Sequence, residues 1–458
     1  MTARRHSNQD TGQWSRIALA LCVLLAFSFV FGGASYRYIV RLAVVELAAL
    51  PVLILALTAL VRSSAWRDHR FACGLALATA AIPLIHLIPL PPALWTALPG
   101  RDQLVLALSV TGIQPGWGAL SLTPDQTWRN FLALLPPMAA FAAALALPID
   151  RRPAVIWLVL GAATLSIILV AAQVASGDRT FYLWSWVKDG ALPGPFQNRN
   201  HMAALCTSTL PFAAVLAATA MNSREPRARM MVWLGALYVI LAVIAVGVIR
   251  SRAGVVLVLP SLVAALLAAW VASGRARPSL KLLGLTLAAG GAVAAVAVFG
   301  LGPVLERFDT IDNSTGRFAE WPTVIEAAQT YLPVGSGVGS FDPVYRSFEP
   351  LERLDGTYFN NAHNDFLEIW LETGWVGIGL LLVFLYWFGK RAISAWRGGA
   401  LPERNLQRAA SIAIFLLLAH SVVDYPMRTE ILAVWFALCC GVLEFAGRQG
   451  TDRSHRAA

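Results

Sequence analysis

The sequence predicts an all-α polytopic membrane protein with about twelve transmembrane helices, and three observations point there. Of its 458 residues 57% are apolar and only 14% charged, whereas a soluble domain carries roughly 25% charged residues. Apolar runs of about twenty residues, the length of one helical crossing, recur along the whole chain. Basic residues gather in alternate connections between those runs.

Taken in order, the apolar runs place spans near 17–33, 42–61, 71–90, 131–148, 154–175 and 201–222. Six more follow near 230–249, 253–273, 282–302, 367–388, 409–423 and 429–447, the eleventh being the shortest. The first run ends in Gly32-Gly33-Ala34-Ser35-Tyr36-Arg37 with no small-residue cleavage site, so it reads as a span and not as a removable signal. Cys22, Cys73, Cys206, Cys439 and Cys440 all fall inside apolar runs, which fits packing and excludes a disulfide framework or a zinc spacing.

The net charge of +10 is a topology signal. Sorting the connections alternately puts the N-terminus, 62–70, 150–152, 223–229, 274–281, 389–408 and the C-terminus on one side. That side holds about 22 of the 36 Lys and Arg residues against about 6 acids, so it is expected to be cytoplasmic, with both termini there. The basic excess is used by topology, no basic patch is interleaved with aromatics, and no nucleic-acid partner is expected. Three outward segments exceed what a connection needs: 91–130, 176–200 and 303–366. The last, with aromatics throughout and a helical-looking run at 317–331, reads as an ordered cap over the outer face. The chain thus divides into an N-terminal helical region (1–200), a central one (201–302), the outer loop with the active-site segment (303–366) and a C-terminal helical region (367–458).

Polar residues that carry chemistry collect on that outer side. Asn360-Asn361-Ala362-His363-Asn364-Asp365 stands where the large loop re-enters the membrane, with Glu368 and Glu372-Thr373-Gly374-Trp375-Val376-Gly377 following. Asp365 with Glu368 three residues on has the spacing of an acidic capping box that would start a helix at Phe366. His363 then lies outside that helix near its positive end, where a neutral imidazole is favoured. Arg250-Ser251-Arg252 sits in a short outward connection; its guanidinium groups suit either interfacial anchoring or bidentate binding of phosphate oxygens. Gly194-Pro195-Phe196-Gln197-Asn198-Arg199-Asn200-His201 places another outward arginine beside amides. Gly335-Ser336-Gly337-Val338-Gly339 lacks the Lys-Ser/Thr of a phosphate-binding loop, so its glycines serve a tight turn.

In this order, the Ser251-Arg252 turn, Arg317 with Trp321, the 335–339 glycine run, His363 to Leu367 and Glu372 to Gly377 resemble the outer-face motifs of the O-antigen ligase and polymerase superfamily. The run from His420 to Asp424 with Pro426 is similar too, and before residue 190 Leu122-Thr123-Pro124-Asp125-Gln126-Thr127 adds to the likeness. The resemblance implies a GT-C-like helical fold in the bacterial inner membrane and inverting glycosyl transfer from undecaprenyl diphosphate, with no cofactor, nucleotide or metal. It assigns His363 to the acceptor hydroxyl, and Arg252 to the donor diphosphate with Arg250, Arg317 and Arg199, the last substituting for a family arginine that Ala191 and Leu192 displace. No compact outward Asp-x-Asp pair is present to hold a metal, Asp309 and Asp312 being the nearest approach. The expected partners are a lipid-linked glycan donor, membrane lipids, and as acceptor a lipid A core, a second lipid-linked glycan or a protein hydroxyl. A transporter or flippase is the rival class, and it would place ionisable residues at mid-bilayer.

Overall fold

A computed structural model describes residues 2–34, 39–185, 187, 190–274, 284, 290–291, 318–354, 359–399 and 401–444. The N-terminal region contains α1 (Thr2–Phe31), α2 (Ile39–Arg62), α3 (Arg70–His86), α4 (Pro92–Trp95), α5 (Asp102–Val110), α6 (Pro124–Leu132), α7 (Leu135–Ala146) and α8 (Arg152–Ser176). The centre contributes α9 (Arg199–Ala220), α10 (Pro226–Ile249) and α11 (Arg252–Ser273). Two short helices, α12 (Trp321–Thr330) and α13 (Phe341–Phe348), precede α14 (Asp365–Arg397), α15 (Pro402–Ser421) and α16 (Glu430–Glu444). Among the described residues the only strands are β1 (Pro89–Leu90) and β2 (Gly118–Ala119), paired antiparallel.

Eight helical stretches among the described residues are long and apolar enough to cross a membrane: α1 from Trp14 onward, α2, α6 with α7, α8, α9, α10, α11 and α14. The expected twelve are not all matched, for identifiable reasons. α3 has 17 residues and α16 has 15, while α15 carries Glu403, Arg404 and Arg408 in its first two turns. The expected ninth span, 282–302, lies outside the described residues. The outer faces of α2, α8, α10 and α11 leave Leu47, Ile54, Leu165, Trp233, Leu237 and Val263 exposed. Apolar surface of that extent suits lipid, and the chain is a multi-pass membrane protein.

α9 is the hub of the bundle. Every residue from His201 to Ala218 is buried, and α9 packs against α10, α11 and α15. Its run of Ala, Ser, Thr and Cys lets neighbouring backbones come close, the packing device that replaces hydrophobic drive inside a bilayer. A Cβ on Gly254 would lie 2.6 Å from the Ala203 Cβ, and one on Gly235 2.8 Å from the Ala217 Cβ, so both glycines are required by helix approach.

Hydrogen bonds sort the helix ends into two faces. On one face Gly33 at the end of α1 accepts from the Gln197 N–H before α9, Gly32 accepts from the Ile431 N–H of α16, and Ser251 before α11 meets Asn200 of α9. On the opposite face Glu444 of α16 accepts from Trp387 and Arg391 of α14 and lies 3.4 Å from His69 before α3. Asn222 after α9 likewise donates to the Ser273 carbonyl of α11. This sorting agrees with the alternation that separated basic from acidic connections; Glu444, within the expected span 429–447, is the tie at the second face.

A second, smaller core lies on the first face. Val324 and Ala327 from α12, Tyr331 just after it, and Phe341, Val344 and Tyr345 from α13 close over Ala362 and Leu371, with Leu122 against them. The buried Arg101 guanidinium stacks over Tyr331 at 5.6 Å, joining the 91–123 segment to the cap. The cap read from the aromatic pattern is therefore a packed subdomain, its helix running over Trp321–Thr330 within the longer stretch expected from the sequence.

Candidate active site

The site is organised around one carboxylate. Asp424, in the turn after α15, is fully buried. Its Oδ1 lies 3.3 Å from His363 Nδ1 and accepts from the Tyr425 N–H at 3.0 Å. Its Oδ2 accepts from the side-chain amides of Asn200 and, at 3.5 Å, Asn198. An ionised carboxylate only accepts, so these donors match its lone pairs and stabilise its charge. In the tautomer that carries its proton on Nδ1, His363 donates to Asp424 and presents an Nε2 lone pair on its other edge.

His363 is placed by strain as well as by partners. It adopts a left-handed backbone with φ 49, a conformation that costs a non-glycine residue about 1 kcal/mol. Its ring packs between Phe359 at 5.5 Å and Tyr425 at 4.9 Å, yet 18% of the side chain remains exposed. The imidazole is held on one edge and reachable on the other.

The arginines flank the same network. Asn198 caps α9, its side chain accepting from the Asn200 N–H at 2.9 Å, and Ser251 caps α11 by accepting from the Gly254 N–H at 3.1 Å. Arg199 and Arg252 are the first residues of these two helices, and neither first turn contains an acid. A cation at a helix start runs against the macrodipole, so two such starts side by side concentrate positive potential at this face. Arg250, exposed and left-handed at φ 54, ends α10. The connection between α10 and α11 is thus two residues long, Arg250 and Ser251, and Arg252 already belongs to the helix. Arg317, Asp309 and Asp312 lie outside the described residues.

The start of α14 differs from the capping box expected at Asp365. Asn364 is the cap, accepting from the Phe366 and Leu367 N–H groups at 3.0 and 3.2 Å, and the helix begins at Asp365. Asn364 wins because a cap must be extended and must aim its oxygen at the second and third helical N–H groups. The acids turn to Arg428 instead: its guanidinium lies 3.2 Å from both Glu368 and Glu372 and 3.8 Å from Asp365. Burial works against the charge of Arg428, and the Glu368, Glu372 and Asp365 carboxylates outweigh it, holding its pKa above the ordinary arginine value.

The glycine run serves α14 in the way a turn would. Gly374, at φ 55 and ψ −143, breaks the helix geometry within α14. The carbonyls freed there accept from the loop: Ser336 N–H to Leu371 at 3.0 Å and Gly337 N–H to Glu372 at 2.9 Å, while Trp375 N–H reaches Pro333 at 3.0 Å. Thr127 donates to the Val338 carbonyl and Leu122 N–H to Ser336, so the 122–127 stretch is the bed on which the loop rests.

The structure therefore joins His363, Arg199 and Arg252 through Asp424, Asn200 and Ser251, three of which were not marked as site residues. The signal for Asp424 was present, an acid at the outer end of an apolar run in the noted 420–424 segment. Asn200 and Ser251 look like ordinary helix-start residues, and only their pairing across two spans distinguishes them.

The O-antigen ligase family matches this chain over residues 237–382, a segment that includes Arg252, the 335–339 loop, His363 and Gly374. The likeness read from the outer-face motifs is borne out there, and it supports a membrane enzyme of the ligase or glycosyltransferase kind. No curated protein matches the chain. Asn198, Asn200, Asp424 and Arg428 lie outside the matched segment.

Proposed function

We propose that the chain moves a glycan from undecaprenyl diphosphate to an acceptor hydroxyl at the outer face of the membrane, in the manner of an O-antigen ligase. The observation that carries this reading is the buried Asp424, which ties the half-buried imidazole of His363 to the helix starts bearing Arg199 and Arg252. Base and cations are thereby held in one frame. In the proposed step His363 Nε2 takes the proton of the acceptor hydroxyl, and the oxygen attacks the anomeric carbon. The bond from that carbon to the diphosphate oxygen breaks, the configuration inverts, and the diphosphate leaves with an added negative charge. Arg252 and Arg199 stabilise that charge, aided by Arg250 and by the positive ends of two helix dipoles. Fixed guanidinium groups suit this role, because their planar fork pairs with two phosphate oxygens at once.

The test is transfer by the purified protein in detergent, with an undecaprenyl-diphosphate-linked glycan and a saccharide acceptor. His363→Ala is expected to lower turnover at least about a hundredfold, with membrane abundance unchanged. Wild-type turnover in that variant would remove His363 from the chemistry. Activity that disappears on adding EDTA would assign the diphosphate charge to a metal instead of arginine.

A further inference from the structure

Glu368 occupies an unusual position between two tasks. Its Oε1 receives the Arg428 guanidinium at 3.2 Å, and its Oε2 accepts the backbone N–H of Ala362 at 3.0 Å. Ala362 directly precedes His363, and its carbonyl is held from the other side by the indole N–H of Trp321 at 3.1 Å. Both peptide units that flank Ala362 are therefore pinned, one from the membrane helix and one from the outer cap. Arg428 belongs to the same 424–428 turn as Asp424, and the intervening backbone is short and partly helical. The residue that anchors Glu368 and the residue that receives His363 are thus parts of one short segment.

On the reading given under Proposed function, we propose that Arg428 and Glu368 are positioning residues for His363: through the Ala362 peptide they hold its left-handed backbone so that Nδ1 meets Asp424. The physical need is clear from the backbone. A non-glycine residue at φ 49 relaxes toward the ordinary basins unless its neighbours prevent it. Relaxation would swing the imidazole away from a carboxylate it now meets at 3.3 Å. Neither Arg428 nor Glu368 touches the reacting atoms in this scheme. Glu372 and Asp365 share Arg428 but bind elsewhere, to the Gly339 N–H at 2.9 Å and the Ser421 hydroxyl at 2.7 Å. The effect on His363 therefore runs through Glu368.

Steady-state transfer kinetics with the undecaprenyl-diphosphate-linked glycan test this in the full-length protein. Glu368→Ala is expected to lower kcat on the order of tenfold to a hundredfold, since a small misplacement of a reacting group has that effect, and to leave donor KM within about twofold. Arg428→Lys should recover part of the loss seen in Arg428→Ala. In an Asp424→Asn background Glu368→Ala should add much less than its own factor. Full additivity would make Glu368 a packing residue and overturn the proposal. Should Glu368→Ala fail to accumulate, Trp321→Phe decides, since it removes only the cap-side hydrogen bond to Ala362; an unchanged kcat there also overturns it. Wild-type turnover in His363→Ala is a separate failure, that of the underlying function.

Discussion

Ser251 donates its hydroxyl hydrogen to the side-chain oxygen of Asn200 at 2.8 Å, and this bond turns the Asn200 amide nitrogen toward Asp424. The opposite amide orientation would face an oxygen against a buried carboxylate. A serine that caps α11 thereby controls the charge environment of an aspartate after α15, with α9 between them. The donor side and the base side of the site are coupled by hydrogen bonds alone.

Asp424→Asn follows from that coupling. The asparagine keeps the shape and can present an N–H to His363, which favours the tautomer with its proton on Nε2 and blocks proton acceptance there. Turnover should fall about a hundredfold or more, with donor KM near the wild-type value. A variant with wild-type turnover would show that Asp424 only packs.

The orientation in the membrane is testable on described turns. Asp178 follows α8 on the face that holds His363, and Arg224 follows α9 on the other. Alkaline phosphatase fused at Asp178 should be active and at Arg224 inactive, given the basic excess on the latter side. The reverse pattern would put the site in the cytoplasm and end the proposed reaction.

Gly374→Ala probes the seat of α14. A Cβ there would lie 2.1 Å from the Pro333 carbonyl oxygen, at a backbone angle of φ 55 that disfavours any side chain. The strain alone is worth about 1–3 kcal/mol, and the clash adds to it. The variant should melt at lower temperature in detergent and lose the docking of the 335–339 loop, seen as faster proteolysis of the cap. Unchanged melting and proteolysis would mean that the kink is not required.

How much of this was legible in the sequence depended on the range of the interaction. Span length and charge sorting act locally, so the bundle and its two faces were readable from runs such as 230–249 and from Arg224, Arg227 and Arg229. His363, Arg252 and Arg199 stood out as candidates because polar residues at a membrane edge do. The cap at Asn364 was misplaced by one residue because Asp365 and Glu368 have the right spacing for a capping box, and nothing local reveals that Arg428, sixty residues away, recruits both. Asp424 and Asn200 become site residues only when α9, α14 and α15 are packed together.

Arg252 offers the sharpest separation between anchoring and catalysis. It begins α11 beside Ser251, on a face where arginines are disfavoured by charge sorting and at a helix end where a cation is disfavoured by the macrodipole. On the proposed reading its planar guanidinium pairs with two oxygens of the donor diphosphate. Arg252→Ala should cripple transfer and weaken donor binding. Arg252→Lys keeps the charge but loses the planar fork, so it should restore only part of the activity, with a donor affinity between those of the wild type and the alanine variant. An anchor that merely reaches the lipid headgroups would be served about equally by lysine, and donor affinity would not change in either variant. Donor affinity and turnover for the wild type, Arg252→Ala and Arg252→Lys, measured in detergent, distinguish the two. Full turnover in the lysine variant would leave Arg252 as an anchor and pass the diphosphate to Arg199 and Arg250.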